Sequence, residues 1–127
     1  DDAQSQLKLL GVTVLTSFQR ETLAATGMTD SLEIQVERLA KLGIQSGMDG
    51  LVCSPLELDL LRNSLGAEPI LLTPGIRPAG SSAGDQQRFL TPREAAQKGS
   101  TYIVVGRPIT AAENPAQAAA AIQSEFA

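Results

Sequence analysis

Apolar runs and amphipathic stretches alternate along this chain, and the alternation predicts its elements. Leu7 to Leu15 (LKLLGVTVL) reads as a buried strand with β-branched residues near its end. Positions 31–44 (SLEIQVERLAKLGI) carry apolar residues at 32, 36, 39 and 40 with charges between them, close to helical spacing, and Ser31 is placed to cap that helix. Asp49-Gly50 then leads into a short strand, Leu51-Val52-Cys53. Ser54-Pro55-Leu56-Glu57 opens the next helix: Ser as cap, Pro at the first helical position and Glu three after the cap. That helix runs to about Leu65, where Gly66 stops it, and Ile70-Leu71-Leu72 is again a strand. Thr91-Pro92-Arg93-Glu94 repeats the helix-opening chemistry, with Gly99 as the stop. Tyr102 to Val105 is a fourth strand, and Asn114-Pro115 opens an alanine-rich helix to about Phe126.

The order is strand then helix, four times over, in one domain spanning residues 1–127. Strands alternating with helices predict right-handed βαβ crossovers and a parallel sheet, hence an α/β fold. Four such units are half of a (β/α)8 barrel, a fold of ~250 residues, and an open four-stranded α/β sheet is the competing architecture. Short strands followed by loops of functional composition favour the barrel. There, ligands sit at the carboxyl ends of the strands, and the loops after strands 7 and 8 often hold phosphate. The third and fourth strands of this chain would be those two.

Composition narrows the chemistry. Ten Lys and Arg stand against fourteen Asp and Glu, for a net charge of −4, with no block of like charge, which argues against nucleic acid as a partner. No stretch approaches the ~20 apolar residues of a membrane span, and no charged and apolar leader opens the chain. A single cysteine fits a reducing, cytoplasmic setting. There is no histidine, which removes Ser-His-Asp and Cys-His catalysis and the usual zinc sites from this chain. The opening Asp1-Asp2, without methionine, points to a start inside a longer protein.

The candidate chemistry lies after the third and fourth strands. The run from Leu72 to Arg88 (LTPGIRPAGSSAGDQQR) is a long glycine-rich loop with Arg77, Gln86 and Arg88 as donors and Gly75, Gly80 and Gly84 as turn positions. A loop of this length in a compact domain is functional or disordered. Gly106-Arg107 ends the fourth strand: the glycine lets backbone approach a ligand, and the guanidinium fork suits a phosphate. A strand end with an ordinary surface arginine is the plainer reading of that pair alone; the two loops together favour a bound phosphate. Thr13, Thr16 and Ser17 crowd the end of the first strand, where hydroxyls either meet a polar ring or cap a helix start, and composition alone favours capping. Cys53, with no histidine to activate it, reads as a buried core thiol.

Val12-Thr13-Val14-Leu15-Thr16-Ser17, the loop TPGIRPAGSSAGDQ at 73–86, and Val105-Gly106-Arg107-Pro108-Ile109-Thr110 together resemble the bacterial branch of the orotidine 5′-phosphate decarboxylases. The match runs from about Leu9 to the C-terminus in order and spacing, and three strand-end motifs make it specific where one would not. The resemblance implies a (β/α)8 barrel used as a homodimer, with neither metal nor organic cofactor. The implied reaction is the lyase step that converts orotidine 5′-monophosphate to UMP and CO2, the last step of de novo pyrimidine biosynthesis. Carried over residue by residue, Thr16 borders the pyrimidine, with Ser17 beside it as a weaker candidate. Arg77 and Gln86 contact ligand from the strand-7 loop, Gln86 reaching toward both phosphate and base. Gly106 and Arg107 grip the phosphate after strand 8.

One departure limits what the resemblance implies. The family's catalytic array, an Asp-x-Lys-x-x-Asp pattern on an earlier strand, has no counterpart here, and Lys8, Lys41 and Lys98 stand at no such spacing. The chain therefore looks like the C-terminal half of the enzyme, strands 5–8, with no catalytic residue of its own, expected to be inactive alone and stable only with an N-terminal half-barrel segment. Two other readings stay open from sequence: a non-catalytic phosphate-binding or assembly half-barrel, and a barrel acting on another sugar phosphate.

Overall fold

The computed structural model describes residues 6–15, 20–79 and 89–127. Four strands form one parallel sheet: β1 (Leu10–Val12), β2 (Gly50–Val52), β3 (Ile70–Thr73) and β4 (Tyr102–Ile103). Their spatial order is β1-β2-β3-β4, the order of the chain, without the reversal that a doubly wound sheet makes. Between them run α1 (Arg20–Ala25), α2 (Leu32–Gln45), a single 3-10 turn (Pro55–Glu57) continuing into α3 (Leu58–Leu65), and α4 (Pro92–Gln97). After β4 come α5 (Arg107–Thr110) and α6 (Pro115–Phe126).

The helix starts follow from the residues that open them. Ser54 accepts from the Leu56 N–H while Glu57 accepts from the Ser54 N–H at 2.8 Å, and Thr91 and Glu94 make the same reciprocal pair, so orphan amides at both starts are satisfied. Ser31 and Asn114 cap α2 and α6 in the simpler way. One core unites the layers: Val36 and Ala40 from α2 and Leu58 and Leu61 from α3 bury against Leu51, Cys53 and Leu71 on a single face of the sheet. That is where right-handed crossovers put helices when every connection runs to the next strand.

Three expectations need correcting. The first strand is Leu10–Val12, not the whole of 7–15. Its amino-terminal neighbours are held by a side chain instead: Asp49 accepts from the Leu9 N–H at 2.8 Å and from Lys8 at 3.1 Å. The fourth strand is also shorter than Tyr102–Val105, although Val104 N–H still donates to Thr73 O at 2.9 Å. Two helices, α1 and α5, were not expected at all.

The strand register rests on two tight features. Gly50 opens β2 opposite Ile70, and a Cβ at Gly50 would lie 2.1 Å from the Ile70 carbonyl oxygen, so only glycine lets β2 and β3 approach this closely. At the amino ends of β3 and β4, the Arg62 guanidinium from α3 binds both strands. Its Nε and Nη2 donate to Gly99 O at 2.9 and 2.6 Å, and Nη1 donates to Pro69 O at 2.8 Å and Gly66 O at 3.0 Å. Nη2 also reaches Thr101 Oγ1, which accepts from the Leu71 N–H as well. Gly99 has φ +83° and lies against the Arg62 side chain, so it is required twice over.

Arg62→Ala strands several part-buried carbonyls, and by the cost of losing a charged hydrogen-bond donor it should destabilise by about 2–4 kcal/mol. Arg62→Lys should not rescue it, because an ammonium cannot reproduce the fork. Denaturant unfolding of the three proteins checks this. Asp49 gives a pH prediction: its bonds from the Leu9 N–H and Lys8 hold its carboxyl below the usual range. A depressed folded-state value adds stability above the ordinary ~3.9 of aspartate, lost as pH falls through the folded value. Unfolding midpoints should therefore drop below about pH 4, and Asp49→Asn should show a shallower acid-side slope than the wild type.

Candidate anion site at the carboxyl ends of β3 and β4

β3 and β4 are neighbours, and their ladder ends at the registered pair Thr73–Ile103. Arg77 and Arg107 each stand four positions beyond a member of that pair. Both arginines therefore emerge at the carboxyl end of adjacent strands, the end where parallel α/β folds bind ligands.

Beyond β3 the chain turns at Gly75, φ +76°, and Ile76 is buried and bridges in parallel to Leu90. The Arg77 N–H donates to Leu90 O at 3.0 Å. The return end is fixed as firmly, because Thr91 caps α4 and Pro92 is fully buried. The long loop is thus tied at its neck, with Arg77, half-buried, immediately above the tie.

Beyond β4, Gly106 does not simply end a strand. It is the residue before the first turn of α5, which Arg107 opens and Pro108 follows. Ile109 and Thr110 both donate to Gly106 O, at 2.9 and 3.1 Å. Among the described residues no side chain caps this turn, and none comes within 4 Å of where a Cβ at Gly106 would lie. No neighbour among the described residues calls for glycine there. Arg107 is exposed at the rim. Sequence reasoning missed the turn itself, although Pro108 directly after Gly-Arg is a helix-start signal of the kind used elsewhere in the chain.

Thr16, Ser17 and Gln86 lie outside the described residues. The structure thus brings Arg77, Gly106 and Arg107 to one end of the sheet. Near the first strand, the Thr13 hydroxyl is buried and has no hydrogen-bond partner among the described residues.

The remaining reactive groups are structural. Cys53 is 1% exposed, 3.9 Å from Thr73 Oγ1, and burial pushes its thiol up to about 11, so it is no nucleophile at neutral pH. Thr73 and Ser100 share a 2.8 Å hydroxyl pair beneath the sheet, and Ser100 donates to Tyr102 O at 2.9 Å. Each lysine is committed away from the site: Lys8 to Asp49 before β1, Lys41 to Glu37 within α2, and Lys98 to Asp59 before β4. Among the described residues no three His, Cys, Asp or Glu gather to hold a metal, and no helix is long and apolar enough to cross a membrane.

Known proteins share this sequence and this fold. The model of the orotidine 5′-phosphate decarboxylase / HUMPS family matches residues 1–122. The orotidine 5′-phosphate decarboxylase of Gluconobacter oxydans is 56% identical over 120 residues, 94% of this chain and 51% of that protein. That of Pseudomonas syringae pv. tomato is 54% identical over 121 residues, again 94% of this chain and 51% of that protein. Among solved structures, orotidine 5′-phosphate decarboxylase from Lactobacillus acidophilus superposes with a TM-score of 0.85 at 42% identity, over 99% of this chain and 52% of that one. An uncharacterized conserved protein from Geobacillus kaustophilus gives 0.82 at 30% identity, over 100% of this chain and 52% of that one. The chain spans about half the length of the curated relatives it matches, and it belongs to the orotidine 5′-phosphate decarboxylase / HUMPS family.

Proposed function

We propose that these four βα units are the C-terminal half, strands 5–8, of a (β/α)8 barrel that decarboxylates orotidine 5′-monophosphate, and that they hold the substrate's phosphate and pyrimidine. The observation that carries this is the placement of Arg77 and of Gly106-Arg107 past the registered ends of adjacent strands, with no described residue crowding Gly106. Supporting the half-barrel is a sheet in strict chain order that superposes on half of a decarboxylase chain.

In this reading the Arg107 guanidinium and the Gly106 backbone clasp the phosphate, and Arg77 adds a donor from the tied loop. Gln86 bridges phosphate and base, and Thr16, with Ser17 beside it, borders the ring. Loss of CO2 leaves an electron pair and negative charge on C6 of the pyrimidine, and a lysine ammonium stabilises that charge and then delivers the proton. Charge preorganised at the reacting atom is commonly the largest catalytic contribution. The three lysines here are paired elsewhere, so that ammonium comes from a complementary N-terminal half-barrel, covalent or associated. The task of this chain is binding: interactions with the remote phosphate orient the ring and favour closure of the loop, which excludes water. The same reading includes a homodimeric, cytoplasmic enzyme that needs neither metal nor organic cofactor.

In the enzyme with both halves present, Arg107→Ala should lower kcat/KM roughly 10- to 100-fold, the worth of a charge-assisted contact of about 1.5–3 kcal/mol, with the fold intact by circular dichroism. Near-normal kinetics would remove the phosphate assignment. Titration calorimetry separates the substrate classes: UMP should bind more tightly than ribose 5-phosphate, and Gln86→Ala should narrow that preference. Equal affinity for the two would favour a barrel acting on another sugar phosphate.

A further inference from the structure

Arg77 stands in a short segment, Gly75-Ile76-Arg77-Pro78, whose backbone is constrained on both sides of it. Before it, Gly75 takes φ +76°, and Ile76 is 2% exposed and bridged in parallel to Leu90. Leu90 in turn packs against the core that α2 and α3 make with the sheet. The Arg77 N–H donates to Leu90 O at 3.0 Å, so the residue has only its guanidinium to offer an anion. After it, the ring of Pro78 crowds the preceding residue and disfavours helical backbone at Arg77. Among the described residues no carboxylate pairs with that guanidinium. A solvated surface arginine needs neither a buried anchor before it nor a proline behind it.

We propose that Ile76 and Pro78 are positioning residues for the phosphate: they hold the Arg77 backbone in place before ligand arrives, so that binding orders only the arginine side chain. This rests on the phosphate reading above and adds which neighbours make Arg77 effective in it. Ordering a flexible segment on binding costs affinity, and a segment already held avoids that cost. The anchor is complete within the described residues, since Ile76 is buried and Leu90 seated on the core there. Arg107 is held differently. It is exposed and opens a four-residue turn that no described side chain caps. Of the two guanidinium groups, Arg77 is the one whose sequence neighbours fix its backbone. The consequence is selective: loosening Ile76 or Pro78 weakens ligands that carry a phosphate and spares those that do not.

Calorimetry on the protein with both half-barrels present tests this, through the ratio of the uridine to the UMP dissociation constant. Ile76→Ala should lower that ratio roughly 5- to 20-fold, part of the contribution of a charge-assisted contact, with uridine affinity unchanged. Ile76→Val, which keeps most of the side chain, should restore it. Pro78→Gly, at a half-buried position outside the core, should lower the ratio about 2- to 5-fold through added backbone freedom alone. It reads the same constraint if Ile76→Ala does not fold. In an Arg77→Ala background neither change should lower the ratio further, because effects that act through one side chain do not add. A merely structural role would weaken both ligands alike, or lower the melting temperature with the ratio intact, and either result overturns the positioning. So does an Ile76→Ala loss that persists undiminished without Arg77. If Arg77→Ala itself leaves the ratio unchanged, the phosphate assignment of Arg77 falls and the positioning with it. A ratio that falls with Arg77→Ala but with neither Ile76→Ala nor Pro78→Gly sinks the positioning alone.

Discussion

The positions of the candidate ligand groups depend on a guanidinium at the opposite end of the sheet. Arg62 spends its donors on the carbonyls of Gly66, Pro69 and Gly99 and on the Thr101 hydroxyl, tying α3 to the amino ends of β3 and β4. Those bonds set how β3 and β4 enter the sheet. The register they start places Thr73 beside Ile103. Arg77 and Arg107 inherit their places from that pair. Stability is concentrated at one end of the strands and candidate chemistry at the other, the division that (β/α) architectures use. Asp49 does for β1 and β2 what Arg62 does for β3 and β4, with a carboxylate in place of a guanidinium.

Much of this was legible in the chain because it was local. The reciprocal pairs Ser54–Glu57 and Thr91–Glu94 announce themselves at a spacing of three, and the apolar runs of β2 and β3 stand between clear breakers. What escaped was non-local or very short. Nothing near Arg62 marks it as a hub, since its acceptors are carbonyls of residues 66, 69 and 99, which no side-chain pattern reveals. Gly50 reads as the end of a turn, yet its role is to let a neighbouring strand approach, and only the register with Ile70 shows it. The first strand was read too long because apolar content continues through Leu15 while its partner strand ends at Val52.

The candidate site divides the same way. Gly106-Arg107 was recognisable as a strand-end pair, but its backbone also opens a four-residue helical turn, with Gly106 as the residue before it. Arg77 was recognisable by composition, whereas the tie that seats it, Ile76 to Leu90, joins residues fourteen positions apart across the loop. Cys53 was read as a core thiol, and its burial and raised pKa agree. The role of the lysines became plain only in three dimensions, where each one's ion pair holds it among the helices or at the amino ends of the strands.

The central claim is that a nucleotide phosphate seats at the carboxyl ends of β3 and β4. Its most direct test is amide chemical-shift mapping of this segment, isotopically labelled in the protein with both half-barrels present and titrated with UMP, with uridine as the phosphate-free control. The account predicts saturable shifts centred on Gly106, Arg107 and Arg77 with UMP and little change there with uridine. Shifts of the same size and location with both ligands, or none at these residues with UMP, would contradict it.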